Sequence, residues 1–97
     1  MGKMLYGSPP AVFEIDDHRL AHVELVALAK LRRNESFAMS VAGEGTARTS
    51  FWMNTASVVV FEFENGAQEI NRELLDEYMD AANTASGLRL SATAEPA

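Results

Sequence analysis

His18 and His22 are four residues apart, the spacing at which two imidazoles on one helical face can share a metal ion. Zinc would need a third donor, and Arg19 beside the pair would repel a cation. The stretch reads His18-Arg19-Leu20-Ala21-His22, which has no glutamate in the place a zinc protease needs one. No metal site is expected. A second chemistry is electrostatic. On a helix running through this stretch, His18, Arg19, His22, Lys30, Arg32 and Arg33 share one arc. Such a stripe could hold a phosphate, a nucleic-acid backbone or an acidic protein surface. It also has a plainer reading, a solvated helix face. A third reading sets it against the acidic half of a neighbouring copy. Trp52 and Tyr6 could stack a base or pack in a core or an interface. The candidate binding residues are therefore Arg19, His22, Lys30, Arg32, Arg33 and Trp52.

Other constellations lead away from catalysis. Glu24 falls near the middle of the same helix's apolar arc, where a carboxylate must be paired or protonated. It could pair with Arg48, act as a general acid or base, or sit half-exposed on a rotated helix. Gly43-Glu44-Gly45 lacks the lysine and following helix of a phosphate loop. No serine stands in a nucleophile elbow. The chain has no cysteine, which removes disulfides, thiolate nucleophiles and Cys-ligated zinc. No catalytic residue and no cofactor are expected.

The elements that must position these residues follow from periodicity. Lys3–Tyr6 reads as a short strand, broken by Ser8-Pro9-Pro10. In Ala11–Ile15, Ala11, Phe13 and Ile15 alternate with Val12 and Glu14, a strand pattern. Asp16 can cap a helix running to about Arg33, with Ile15 and Leu20 as its hydrophobic staple. Its expected core arc is Leu20, Val23, Ala27, Leu28 and Leu31. Asn34 can take the left-handed exit. Strands over Ser36–Val41, Arg48–Met53 and Val58–Phe63 suggest a three-stranded meander. Asn71 caps a second helix over about Arg72–Ala85, with Ile70 and Leu75 as staple and Gly87 as its stop. Leu88–Leu90 reads as a final strand. The expected fold is α+β, order β(β)αβββαβ: one mainly antiparallel sheet of four to six strands with both helices on one face. Residues 1–90 should form a single domain and 91–97 a loose tail. The far sheet face would carry Val58, Val60 and Trp52 beside polar residues, which makes it either a partner surface or a face with ordinary, singly exposed apolar residues.

Composition bounds the function classes. The chain has 97 residues, 47% of them apolar, which suits one packed domain rather than a disordered segment. Net charge is −6. Residues 1–50 carry six basic and six acidic side chains, so the second half holds the whole excess. That argues against a general nucleic-acid binder and leaves room for a local basic patch. Neither a membrane span nor a signal peptide is read, and the absence of cysteine suits a reducing, cytoplasmic setting.

Several stretches are familiar as sequence. They are Glu14-Ile15-Asp16-Asp17-His18-Arg19-Leu20-Ala21-His22, Ala29-Lys30-Leu31-Arg32-Arg33-Asn34-Glu35-Ser36-Phe37, Ile70-Asn71-Arg72 and Ala82-Asn83-Thr84-Ala85-Ser86-Gly87-Leu88. Together they resemble a family of small stand-alone actinobacterial proteins of unknown function, often labelled "ATP-dependent DNA ligase". The resemblance spans nearly the whole chain. It departs at Trp52-Met53-Asn54-Thr55-Ala56, where the family pattern is Trp-x-His-Pro-Ser. Ligase catalysis would need a lysyl-adenylate formed in a Lys-x-Asp-Gly motif. The two lysines stand in Lys3-Met4-Leu5-Tyr6 and Lys30-Leu31-Arg32-Arg33, so no ligase activity is expected. The sequence thus points to a non-enzymatic interaction domain that self-associates or binds a protein partner. The alternative is an accessory nucleic-acid-binding module linked to DNA ligation or repair, using the basic face of the first helix.

Overall fold

Two turns set the path of the chain in the computed structural model, which describes residues 1–43 and 45–91. The first, after β1 (Gly2–Tyr6), passes through the cis Ser8–Pro9 bond and returns the chain as β2 (Ala11–Ile15), antiparallel to β1. Asp16 then caps α1 (Asp17–Arg32), accepting the backbone N–H of Arg19 at 3.1 Å. Ile15 and Leu20 on either side of the cap are fully buried, as the staple spacing requires. Asn34 ends the helix with φ of 59°, and the N–H groups of Asn34 and Glu35 close on the carbonyls of Leu31 and Lys30.

The second turn follows the hairpin β3 (Phe37–Ala42) and β4 (Arg48–Met53). Asn54 builds it, its side-chain oxygen accepting the N–H of Ala56 at 2.9 Å. The Tyr6 hydroxyl donates to the Trp52 carbonyl and lies 3.0 Å from Ser57 Oγ. The chain leaves as β5 (Val59–Glu62), which joins β1 rather than β4. Then α2 (Arg72–Ala82), capped by Asn71, leads to β6 (Leu88–Ser91), parallel to β3.

The fold is α+β with the expected element order, but the single sheet and its meander are corrected. There are two three-stranded sheets, ordered β2-β1-β5 and β4-β3-β6. Alternation fixes which side of β5 faces inward, not which strand it pairs with. Pairing with β1 sets Phe61 opposite the fully buried Met4 and Val59 opposite Tyr6. The helices do not share one sheet face: α1 packs against β1, and α2 against β3, β6 and α1. Phe51 of β4 stacks on Phe13 of β2 at 5.2 Å and meets Tyr6 at 4.8 Å, so aromatic rings join the two sheets. The second helix is shorter than expected, and Ile70 of its staple stays exposed. Ser91, the first residue of the expected tail, belongs to β6; residues 92–97 lie outside the described residues.

Gly87 sits beyond the end of α2, where the chain turns into β6. Its φ is 75°, and a β-carbon there would overlap the carbonyl of Ala38 on β3. The residue admits β6 to its place beside β3. Gly87→Ala should lower stability by about 2 kcal/mol or more in urea denaturation, through strain and overlap together.

Candidate interaction surfaces

Two polar residues of α1, His22 and Lys30, point inward. His22 is fully buried. Its Nδ1 lies 2.7 Å from the His18 carbonyl, and its Nε2 accepts the backbone N–H of Asn71 at 2.9 Å. The second bond requires an unprotonated Nε2, so the ring is neutral and Nδ1–H donates to His18. No lone pair is left for a metal. In the last turn of α1, the buried Lys30 ammonium donates to Asn83 Oδ1 and lies 3.1 Å from Glu35 Oε1. Asn71 and Asn83 cap the two ends of α2. The two inward polar residues of α1 therefore hold α2 at both ends, with the helices running the same way.

Arg19 is held at the start of α1, its Nε 2.5 Å from Asp16 Oδ1, and it also bears on the Tyr78 hydroxyl. Burial raises the Asp16 carboxyl, but the side-chain and backbone hydrogen bonds from Arg19 outweigh it and leave it below its ordinary value. Burial pushes the Tyr78 hydroxyl up, against the opposing charge of Arg19.

The six candidate residues thus do not form one surface. His22 and Lys30 are internal, Arg19 is half-buried in an ion pair, and only Arg32 and Arg33 are exposed at the end of α1. Trp52 lies on the second sheet. The expected core arc of α1 is rotated as well: Val26 is buried in it, while Leu28 is 52% exposed. The cause is that α1 has two buried sides, one against β1 and one against α2. Glu24 is half-buried, and Arg48 stands on the outward side of β4, so the two do not pair.

The apolar face also divides between the sheets. On the first, β1 is central, and its outward residues define rows across three strands. Leu5 pairs with Val12 on one side and Val60 on the other; Lys3 pairs with Glu14 and Glu62. Val58 follows beside Val60, since the Gly7 N–H bonds its carbonyl at 2.9 Å. Val58, Val12 and Val60 are 62%, 52% and 40% exposed. On the second sheet, Trp52 stands opposite Ala38, Ser50 and Arg89 flank Ser40, and Arg48 stands opposite Ala42.

Two grooves mark the surface. One, of about 430 Å³, runs between α1 and β5, lined by Leu28, Leu31, Arg32, Val59 and Phe61 with the turn residues Asn54 and Thr55. The other, of about 370 Å³, lies at the charged end of the first sheet by Lys3, Glu14 and Glu62. Neither groove is lined by His22 or Glu24. Among the described residues, no helix is long and apolar enough to cross a membrane.

A family model described as a domain of unknown function matches residues 1–93. The chain belongs to the DUF7882 family. No curated protein and no solved structure matches it. Membership agrees with the resemblance to a small family of unassigned function. The elements that define this DUF7882 domain, from β1 to β6, all fall inside the matched residues. The outward rows of Leu5 and Val12 and the pair Arg48 and Arg89 are not among the candidate binding residues that the sequence offers. Alternation within single strands could have flagged them, but rows across strands need the register.

Substitutions should separate internal from surface roles. His22→Leu and Lys30→Met should each cost about 1–3 kcal/mol in urea denaturation, because each orphans polar partners. Arg32→Ala and Arg33→Ala should stay within about 0.5 kcal/mol. The pH profile should have two limbs. The lowered Asp16 carboxyl contributes stability that is full above its unfolded value of 3.8 and lost as pH falls through the folded value. The raised Tyr78 hydroxyl contributes stability that is full below its unfolded value of 10.0 and lost as pH rises through the folded one. Asp16→Asn should flatten the acid limb and Tyr78→Phe the alkaline limb, each read by denaturation across pH.

Proposed function

We propose that this domain works by binding rather than by catalysis, and that its first sheet pairs face to face with a second copy of the chain. The observation that carries this reading is the register of β1. It lines up Val12, Leu5 and Val60 in one uncharged row with Val58 beside it, and leaves Lys3, Glu14 and Glu62 as a charged border. An apolar centre with a polar border is the anatomy of a protein interface. A copy laid on that centre buries no charge, which avoids the desolvation cost of a buried ion. Two-fold pairing of one patch on itself is the commonest way for a soluble chain to associate.

Sedimentation velocity over a wide range of protein concentration tests the reading. Association through apolar side chains should persist at high salt, where surface ion pairs are screened. Val60→Lys and Val12→Lys should each weaken it by at least about tenfold while leaving the fold intact, since each introduces a charge at the centre. A strict monomer throughout would contradict self-association.

A further inference from the structure

The outward face of the second sheet differs from that of the first in charge and in kind. None of the strands β3, β4 and β6 contains an aspartate or glutamate, in a chain of net charge −6. Its outward side chains are Arg48 and Arg89, a tryptophan, and otherwise small residues. Trp52 is 57% exposed, an unusual position for the chain's single tryptophan. Ala38, Ser40 and Ser50 form a low floor between these long side chains. Ser40, on the central strand between Ser50 and Arg89, is 4% exposed.

Strand geometry sets the scale. Trp52 and Arg48 are four residues apart on one strand, roughly 13 Å. Arg89 lies two strands away from β4 and one row from each, roughly 12 Å from both. Two guanidiniums and one indole therefore bracket a shallow floor from three corners. Guanidiniums take phosphates in paired hydrogen bonds, and an exposed indole offers a stacking face to a base. An acidic peptide would use the arginines and leave the indole without a partner. A duplex would hide its base faces. The first sheet, whose border holds Glu14 and Glu62, would repel a phosphate chain.

We infer that the β4-β3-β6 face binds single-stranded nucleic acid, with a base stacked on Trp52 and phosphates held by Arg48 and Arg89. This goes beyond the self-association assigned to the other sheet and stands independently of it.

The test uses the whole chain and a fluorescein-labelled oligothymidylate of about 15 nucleotides. Because Trp52 is the chain's single tryptophan, its emission reports on this face alone. Binding should quench that emission, saturate in anisotropy at low salt, and weaken steeply as salt rises. Trp52→Ala should weaken binding by about fivefold or more. Arg48→Gln and Arg89→Gln should each lower the slope of log affinity against log salt by about 0.7. Circular dichroism checks that these surface variants keep the fold. The inference is overturned by an absence of binding at low salt, or by binding without tryptophan quenching. It is equally overturned if duplex DNA or polyglutamate binds as tightly, or if Arg32→Ala with Arg33→Ala abolishes binding while the sheet variants do not.

Discussion

The arrangement of this domain turns on one hydrogen-bonded imidazole. His22 lies at 0% exposure between two helices, giving a proton to its own helix at His18 and accepting one from the cap residue of the other at Asn71. The first N–H groups of a helix have no partner within it, and the His22 ring supplies one at the start of α2. Lys30 ties the other end of α2 to α1, its ammonium donating to the Asn83 side-chain oxygen. With α2 fixed to α1, the turn at Gly87 delivers β6 alongside β3. β6 is the third strand of the second sheet.

This explains how far the sequence could be read. Features that depend on neighbours along the chain were legible: the caps Asp16 and Asn71, the left-handed exit at Asn34, the alternation in each strand and the element order. Those that depend on a distant partner were not. His22 and Lys30 look like surface residues on a helical wheel, because polar side chains on one arc ordinarily face water. Each has a partner at an end of α2, 49 or 53 residues away in sequence, which a helical wheel does not show. The same limit applies to β5, whose pattern serves β4 and β1 as partners equally well.

The inward turn of these residues moves the weight of function from helix to sheet. The basic stripe on α1 breaks up: His22 and Lys30 are buried, Arg19 is half-buried against Asp16, and Arg32 and Arg33 are its exposed arginines. What remains outward and distinctive is one uncharged row on the first sheet and one cationic, aromatic face on the second. The two faces differ as their strands differ: the first alternates apolar with charged residues of both signs, while the second carries no acid at all. An acidic protein can therefore present a locally basic surface, since net charge describes the whole chain and a ligand meets only one face.

The buried histidine is the point at which this account is most exposed. Nitrogen NMR of the folded protein at neutral pH reads the protonation of each ring nitrogen of His22 directly. The two hydrogen bonds of the ring predict a neutral imidazole with the proton on Nδ1, and a coupling between Nε2 and the Asn71 amide. A proton on Nε2, whether in the other tautomer or in an imidazolium, would contradict it, because that nitrogen could not then accept from Asn71.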